Sequence, residues 1–177
     1  MAYINADVQT LENTIRAGDL TIEQGQEVFA KCISQMGDAI EQDEGCIEAT
    51  QKGIKGFEYA LENLEEEESD LSKQIGDLRA EEREAFRTGN HSEELNARSL
   101  ADYLAKQREE LRTRIKELHE ELDKLHEIKY GFEQQKSSDI HFLETLKVDK
   151  MEFDAVCENI RTENSELHRK CDLISSK

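Results

Sequence analysis

The chain has 177 residues, 36% apolar and 36% charged, with no Pro, no Trp and only 9 Gly; its 23 Lys and Arg against 41 Asp and Glu give a formal net charge of −18 at pH 7. So few aromatic and so many helix-tolerant residues argue against an all-β domain or a deeply pocketed α/β enzyme, and for an all-α fold. The acidic excess repels nucleic-acid phosphates and anionic headgroups, and no compensating basic face is legible, so neither nucleic acid nor membrane insertion is expected.

The opening stretch MAYINADVQTLENTIR carries Asp7 and Glu12 and lacks a basic start followed by an apolar run. It therefore does not resemble a secretory signal, and no apolar run reaches membrane-spanning length. A cytoplasmic protein is expected, with export lacking a cleaved signal as the alternative.

Residues 1–20 form the first element, a short amphipathic helix with Ile4, Val8, Leu11 and Ile15 at four-three-four spacing. Gly18 suits its left-handed exit, and Thr21 with Gln24 is a capping-box pattern for the next helix. Residues 21–87 then form a first coiled-coil arm. One seam row reads Ile33, Ile40, Ile47, Ile54, Leu61, Glu68 and Ile75, and the other runs from Phe29 through Met36, Asp43, Thr50, Phe57, Leu64 and Leu71 to Leu78. At Thr88-Gly89-Asn90 the pattern breaks, with Gly89 as a helix exit and Asn90 with Glu93 as a new N-cap, giving a turn over 88–91.

Residues 92–158 form the second arm. Its rows include Leu104, Leu111, Leu118, Leu125, Phe132, Asp139, Leu146 and Phe153, and Arg108, Ile115, Leu122, Lys129, Lys136, Leu143, Lys150 and Cys157. Residues 159–177 continue the frame as a helical extension through Ile160, Asn164, Leu167, Cys171 and Ile174. A 3.5-residue period held this long specifies a coiled coil, because a straight amphipathic helix drifts off frame. Gly131 or Ser137-Ser138-Asp139 is a softer candidate for a kink.

Folding the arms back at Gly89-Asn90 so that residue i faces 179 − i brings every seam position opposite a seam position. Ile75 then meets Leu104, Leu61 meets Leu118 and Ile33 meets Leu146. Asp43 meets Lys136 in an opposite-charge layer, whereas Ile40 with Asp139 and Phe29 with Lys150 are mismatches. The expected architecture is a long antiparallel coiled-coil helical hairpin with arms of about 100 Å at 1.5 Å per residue, a short N-terminal helix packing on a thicker base, and a C-terminal helical overhang. The competing arrangement is a parallel dimer, which Asn164 and Lys150 at a positions suit; the overhang could also pair this way with another copy or a partner while the rest folds as a hairpin.

Several residues lie outside what a two-helix seam buries. Ile140, Phe142, Val148, Met151 and Val156, with Ile22 and Val28 opposite, need another apolar partner, either the first helix or a second chain. Near the turn, Ala85, Phe86, Leu95 and Leu100 place apolar groups where few helices cover them: Phe86 either staples the turn over Leu95 or centres a docking surface. The expected partner-binding residues are therefore Phe86, Leu95, Ile140, Phe142, Val148, Met151, Val156, Leu167 and Ile174.

Signals of chemistry are weak. There is no nucleotide-binding glycine loop, GxSxG, HExxH or EF-hand pattern. His119, Asp123 and His126 could share a metal on one helix face, but the opposing arm offers only Glu58, and solvated flank histidines are the simpler reading. Cys32, Cys46, Cys157 and Cys171 lack CxxC spacing and read as reduced thiols on surfaces or seams; members of each pair 14 residues apart lie about 21 Å apart and cannot bridge within a helix, which leaves a link between helices or between chains as the alternative. From Glu41 to Glu68 ten acidic residues stand against Lys52 and Lys55, and Arg108, Arg112, Arg114 and Lys116 on the second arm lie opposite this run.

The topology, a helical hairpin opened by a short apolar-periodic helix, resembles the small hairpin proteins of type VII secretion systems; their Trp-x-Gly turn is absent from this Trp-free chain. The function expected is a non-enzymatic coiled-coil scaffold or adaptor, without catalytic residues, metal or cofactor, that binds protein partners or self-associates as a dimer. The alternatives are a helical secretion partner or chaperone shielding another chain's amphipathic helices, as that resemblance implies, and a metal-binding helical bundle.

Overall fold

The computed structural model describes the backbone of residues 7–175 and the side chains of residues 7–172. Ile4 lies outside the described residues, as does the side chain of Ile174. Three helices, α1 (Val8–Ala17), α2 (Ile22–Thr88) and α3 (His91–Ser175), make up nearly all of the described residues, with no strand among them. The fold is an all-α hairpin in which α2 and α3 pack against each other.

Local chemistry sets the helix ends. Asp7 caps α1, its carboxylate accepting from the Gln9 N–H at 3.2 Å and the Thr10 hydroxyl at 2.6 Å. The exit is a Schellman turn at Gly18 (φ 85°), whose N–H donates to the Ile15 carbonyl while that of Asp19 donates to Thr14. Thr21 and Gln24 form the capping box: the Gln24 N–H donates to Thr21 Oγ1 at 3.2 Å and the Thr21 N–H to Gln24 Oε1 at 2.9 Å. At the end of α2, Gly89 (φ 72°) repeats the Schellman geometry, and the Asn90 carbonyl accepts from the Glu94 N–H to start α3. Without proline, α3 runs unbroken through Gly131 and Ser137-Ser138-Asp139.

The chain divides into two compact units, Met1–Gly45 with Phe132–Lys177, and Cys46–Gly131. The second unit is a two-helix seam around Ile54, Leu61 and Leu111, all buried. Inter-helix ion pairs Glu68–Arg112 and Glu82–Arg98, each at 2.7 Å, show α2 and α3 running antiparallel. Close to the turn the buried residues are Ala85, Ala97 and Ala101. These small side chains let the two backbones converge and leave the larger neighbours facing outward.

In the first unit three helices meet. Phe29, Cys32, Leu146, Phe153 and Cys157 form a buried cluster, and Val8, Leu11 and Ile15 of α1 pack on it with Ile22, Val28, Ile33 and Phe142. Its centre differs from the sequence-based pairing. Phe29 packs on Phe153, with ring centroids 5.2 Å apart, instead of meeting Lys150. Burying two rings against each other is worth more than covering a ring with an ammonium stem, and Lys150 turns along its own helix to Asp154 at 2.6 Å.

The expected Asp43–Lys136 layer is also corrected, since the Lys136 ammonium pairs with Glu44 at 2.8 Å. Glu44 is more exposed, so this pair forms with less desolvation. Asp43 Oδ2 is left buried without a hydrogen bond. Asp139, 7% exposed, accepts from the Gln135 amide at 2.9 Å, which satisfies one oxygen of the polar layer expected opposite Ile40.

Candidate protein-interaction surfaces

Three of the regions with uncovered apolar or charged groups hold the expected partner-binding residues; Tyr59, Ile128 and Tyr130 are exposed elsewhere. The first is the turn end of the Cys46–Gly131 unit. Phe86 is 67% exposed and Leu95 61%, so neither covers the other and the staple expected as one reading of the turn does not form. Arg79, Arg83 and Arg87 recur at four-residue spacing on α2 and share a groove of about 520 Å³ with Phe86 and Arg98. Glu82 and Glu94 at its floor are engaged from within: Glu82 accepts from Arg79 at 2.8 Å and from Arg98 at 2.7 Å, and Glu94 from Arg98 at 3.3 Å. The two guanidinium groups hold the Glu82 carboxyl below its ordinary range. On the neighbouring face Glu81, Glu84 and Glu93 flank Leu78, Ala85 and Leu100. The fold thus gathers four guanidinium groups along one groove, with Arg79 pairing also with Asp102 and Arg87 with Glu84 at 3.4 Å; the i, i+4, i+8 arginines were their signal.

The second region lies on α3 in the three-helix unit. Ile140, Val148 and Met151 are 38%, 54% and 73% exposed. At 100° per residue the three fall within about 80° of one another, a stripe on the face turned away from Leu146 and Phe153. Phe142 and Val156, grouped with them by sequence, are instead half-buried on the flank, and Phe142 packs on the core cluster with α1. The fold therefore divides the surplus apolar residues between a covered flank and an uncovered back.

A third region is the C-terminal run of α3. Ile160 is buried, but every residue from Arg161 to Asp172 is exposed, including Leu167 at 58%. Ion pairs at its start tie it to the rest of the unit: Arg161 with Glu23 at 3.6 Å and Glu163 with Arg16 at 2.9 Å.

Gly25 was not singled out by sequence. A Cβ built there would stand 2.5 Å from Phe153 Cζ and 3.3 Å from Ile15 Cδ1, so the residue leaves room for side chains of α3 and α1 against α2. The only signal was a glycine inside an otherwise uninterrupted helix.

Of the groups weighed for chemistry, His119 contacts Glu65 across the seam at 3.5 Å, while Asp123 and His126 are exposed. No group of three or more His, Cys, Asp or Glu among the described residues is arranged to hold a metal ion. Burial pushes the Cys157 thiol up, away from the thiolate a nucleophile needs. The acidic run is partly matched as expected: Glu68 pairs with Arg112 at 2.7 Å and with Arg108 at 3.9 Å, whereas Lys116 pairs along its own helix with Glu120. Glu62, Glu66 and Glu67 are exposed. No helix among the described residues is long and apolar enough to cross a membrane. No protein-family model, curated protein or solved structure matches the chain.

Proposed function

We propose that the protein is a non-enzymatic coiled-coil scaffold or adaptor that assembles with other chains, a second copy of itself among them. The observation that carries this reading is the back of α3, where Val148 and Met151, with Ile140 at their edge, keep helical spacing and stay exposed among the described residues. An apolar stripe aligned on a rigid helix is what helix-in-groove or helix-on-helix recognition reads. The described grooves are open features along helix surfaces, lined by residues such as Leu64, Arg114 and Leu118, and offer no water-excluded chamber in which charge development could be stabilised.

The test is association of the double variant Val148→Glu, Met151→Glu, compared with wild type by light scattering and by recovery of co-purifying chains. Both side chains are exposed, so helicity by circular dichroism is expected to stay unchanged while associations through this face fall at least tenfold. A variant that keeps every wild-type association overturns this face as the interaction surface.

A further inference from the structure

We infer that the C-terminal run of α3 pairs with the same run of a second copy as a parallel two-stranded coiled coil, with Asn164 against Asn164 and Cys171 against Cys171. The inference rests on the scaffold reading and specifies one of its partners.

Three observations converge on it. The heptad frame that buries Phe153, Cys157 and Ile160 continues without a skip into Asn164, Leu167 and Cys171, yet from Arg161 to Asp172 no residue is covered. A seam is therefore written where no described residue of the chain supplies a second strand. In that frame Asn164 and Cys171 occupy a and Leu167 occupies d. A single Asn at a, followed by Leu at d, specifies two parallel strands in fixed register, because the two amides hydrogen-bond only when they lie in the same layer. Antiparallel pairing would set a against d and bury each Asn164 amide opposite an apolar side chain such as Leu167, without a polar partner.

Charge names a second copy as the occupant. The chain carries −18 overall, which disfavours bringing two copies together along most of its surface. Between Arg161 and Asp172, however, Arg161, Arg169 and Lys170 balance Glu163, Glu166 and Asp172. Two copies can meet here without net repulsion. In parallel register the g position Glu163 lies beside the e position His168 of the other strand, so no like-charge pair flanks the seam. The segment is short, about 18 Å at 1.5 Å per residue, so a concentration-dependent dimer is expected.

Helices pack with axes about 8–10 Å apart and their Cα atoms about 2.3 Å from the axis. Facing a residues therefore fall near the Cα separation of about 4.4–6.8 Å that a disulfide requires. Cys171 is exposed and free, whereas Cys32 and Cys157 are buried. Diamide, which takes up the two electrons and two protons released by two thiols, is thus a direct probe of the pairing.

Wild type treated with diamide is expected to give a covalent dimer that Cys171→Ser abolishes. In the Cys171→Ser background, Asn164→Cys at an a position is expected to restore cross-linking at least tenfold faster than Ser165→Cys on the outer face. Leu167→Glu should prevent cross-linking while circular dichroism stays helical. Equal cross-linking at 164 and 165, or none at 171 and 164, overturns the parallel pairing. The two readings fail separately. An assembly whose mass is unchanged by Leu167→Glu refutes this segment and leaves the scaffold standing, whereas a protein that forms no assembly with itself or with other chains removes the scaffold as well.

Discussion

At single residues, the sign of a substitution depends on what its Cβ meets. Gly25, Gly37 and Gly45 all lie inside α2. Replacing helix-interior glycine by alanine ordinarily gains up to about 1 kcal/mol. That gain is expected for Gly37→Ala and Gly45→Ala, where nothing lies within 4 Å of the new atom. At Gly25 the same atom collides with the fully buried Phe153 ring. Overpacking of this kind costs about 1–3 kcal/mol and outweighs the propensity gain. Thermal unfolding should therefore separate them, Gly25→Ala melting below wild type and Gly37→Ala above it. The buried polar layer shows the same dependence on surroundings: Asp139 finds the Gln135 amide one turn away, while Asp43 Oδ2 does not find a partner.

Considered as elements, α1 and α2 each end at a glycine in the left-handed region, Gly18 and Gly89, and α2 and α3 pack against each other beyond the second of these turns. The ladder near the turn adds a pH dependence. Glu82 is held below its ordinary value of 4.5 by hydrogen bonds from Arg79 and Arg98. A depressed folded value means that its stabilisation is complete above the unfolded value and is lost as pH falls from about 4.5 through the folded value. Amide hydrogen exchange around Ala85 and Ala97 should be faster in Glu82→Gln than in wild type at pH 7. The difference should shrink below pH 4.5 as the wild-type carboxyl protonates. A difference that persists undiminished once the wild-type carboxyl has protonated would assign the effect to packing. The cross-strand ion pairs are largely exposed, so they align the helices more than they stabilise them.

Across the whole molecule the net charge of −18 sets the response to salt. Self-repulsion at this excess opposes the folded state, and screening lengths fall from about 30 Å at 0.01 M salt to about 8 Å at 0.15 M. Salt also weakens the ion pairs, but exposed pairs contribute only about 0–1 kcal/mol each. The melting temperature should therefore rise with sodium chloride over this range, by about 2–4 °C for each kcal/mol of repulsion relieved. A fall in melting temperature would mean that the ladders outweigh the net charge.

Composition and period by themselves determined that the chain is helical, where its helices stop and which residues form the seam. Each of these is set within a few turns: the absence of proline, the left-handed tolerance of Gly18 and Gly89, the Thr21–Gln24 cap, and spacing that alternates three and four. The antiparallel direction of the two long helices was legible, as the ion pairs Glu68–Arg112 and Glu82–Arg98 show. Only the tertiary structure decided which surplus apolar groups are covered, because periodicity assigns a residue to a face without saying what packs on it. Phe142 therefore fell to the core while Val148 and Met151 stayed outside. It also decided that Phe29 meets Phe153, that Lys136 leaves Asp43 for Glu44, and that Arg79, Arg83, Arg87 and Arg98 share one groove. Each of these outcomes is a competition among several neighbours brought together by the packed helices, and ring packing, desolvation and the reach of long side chains settle it in space.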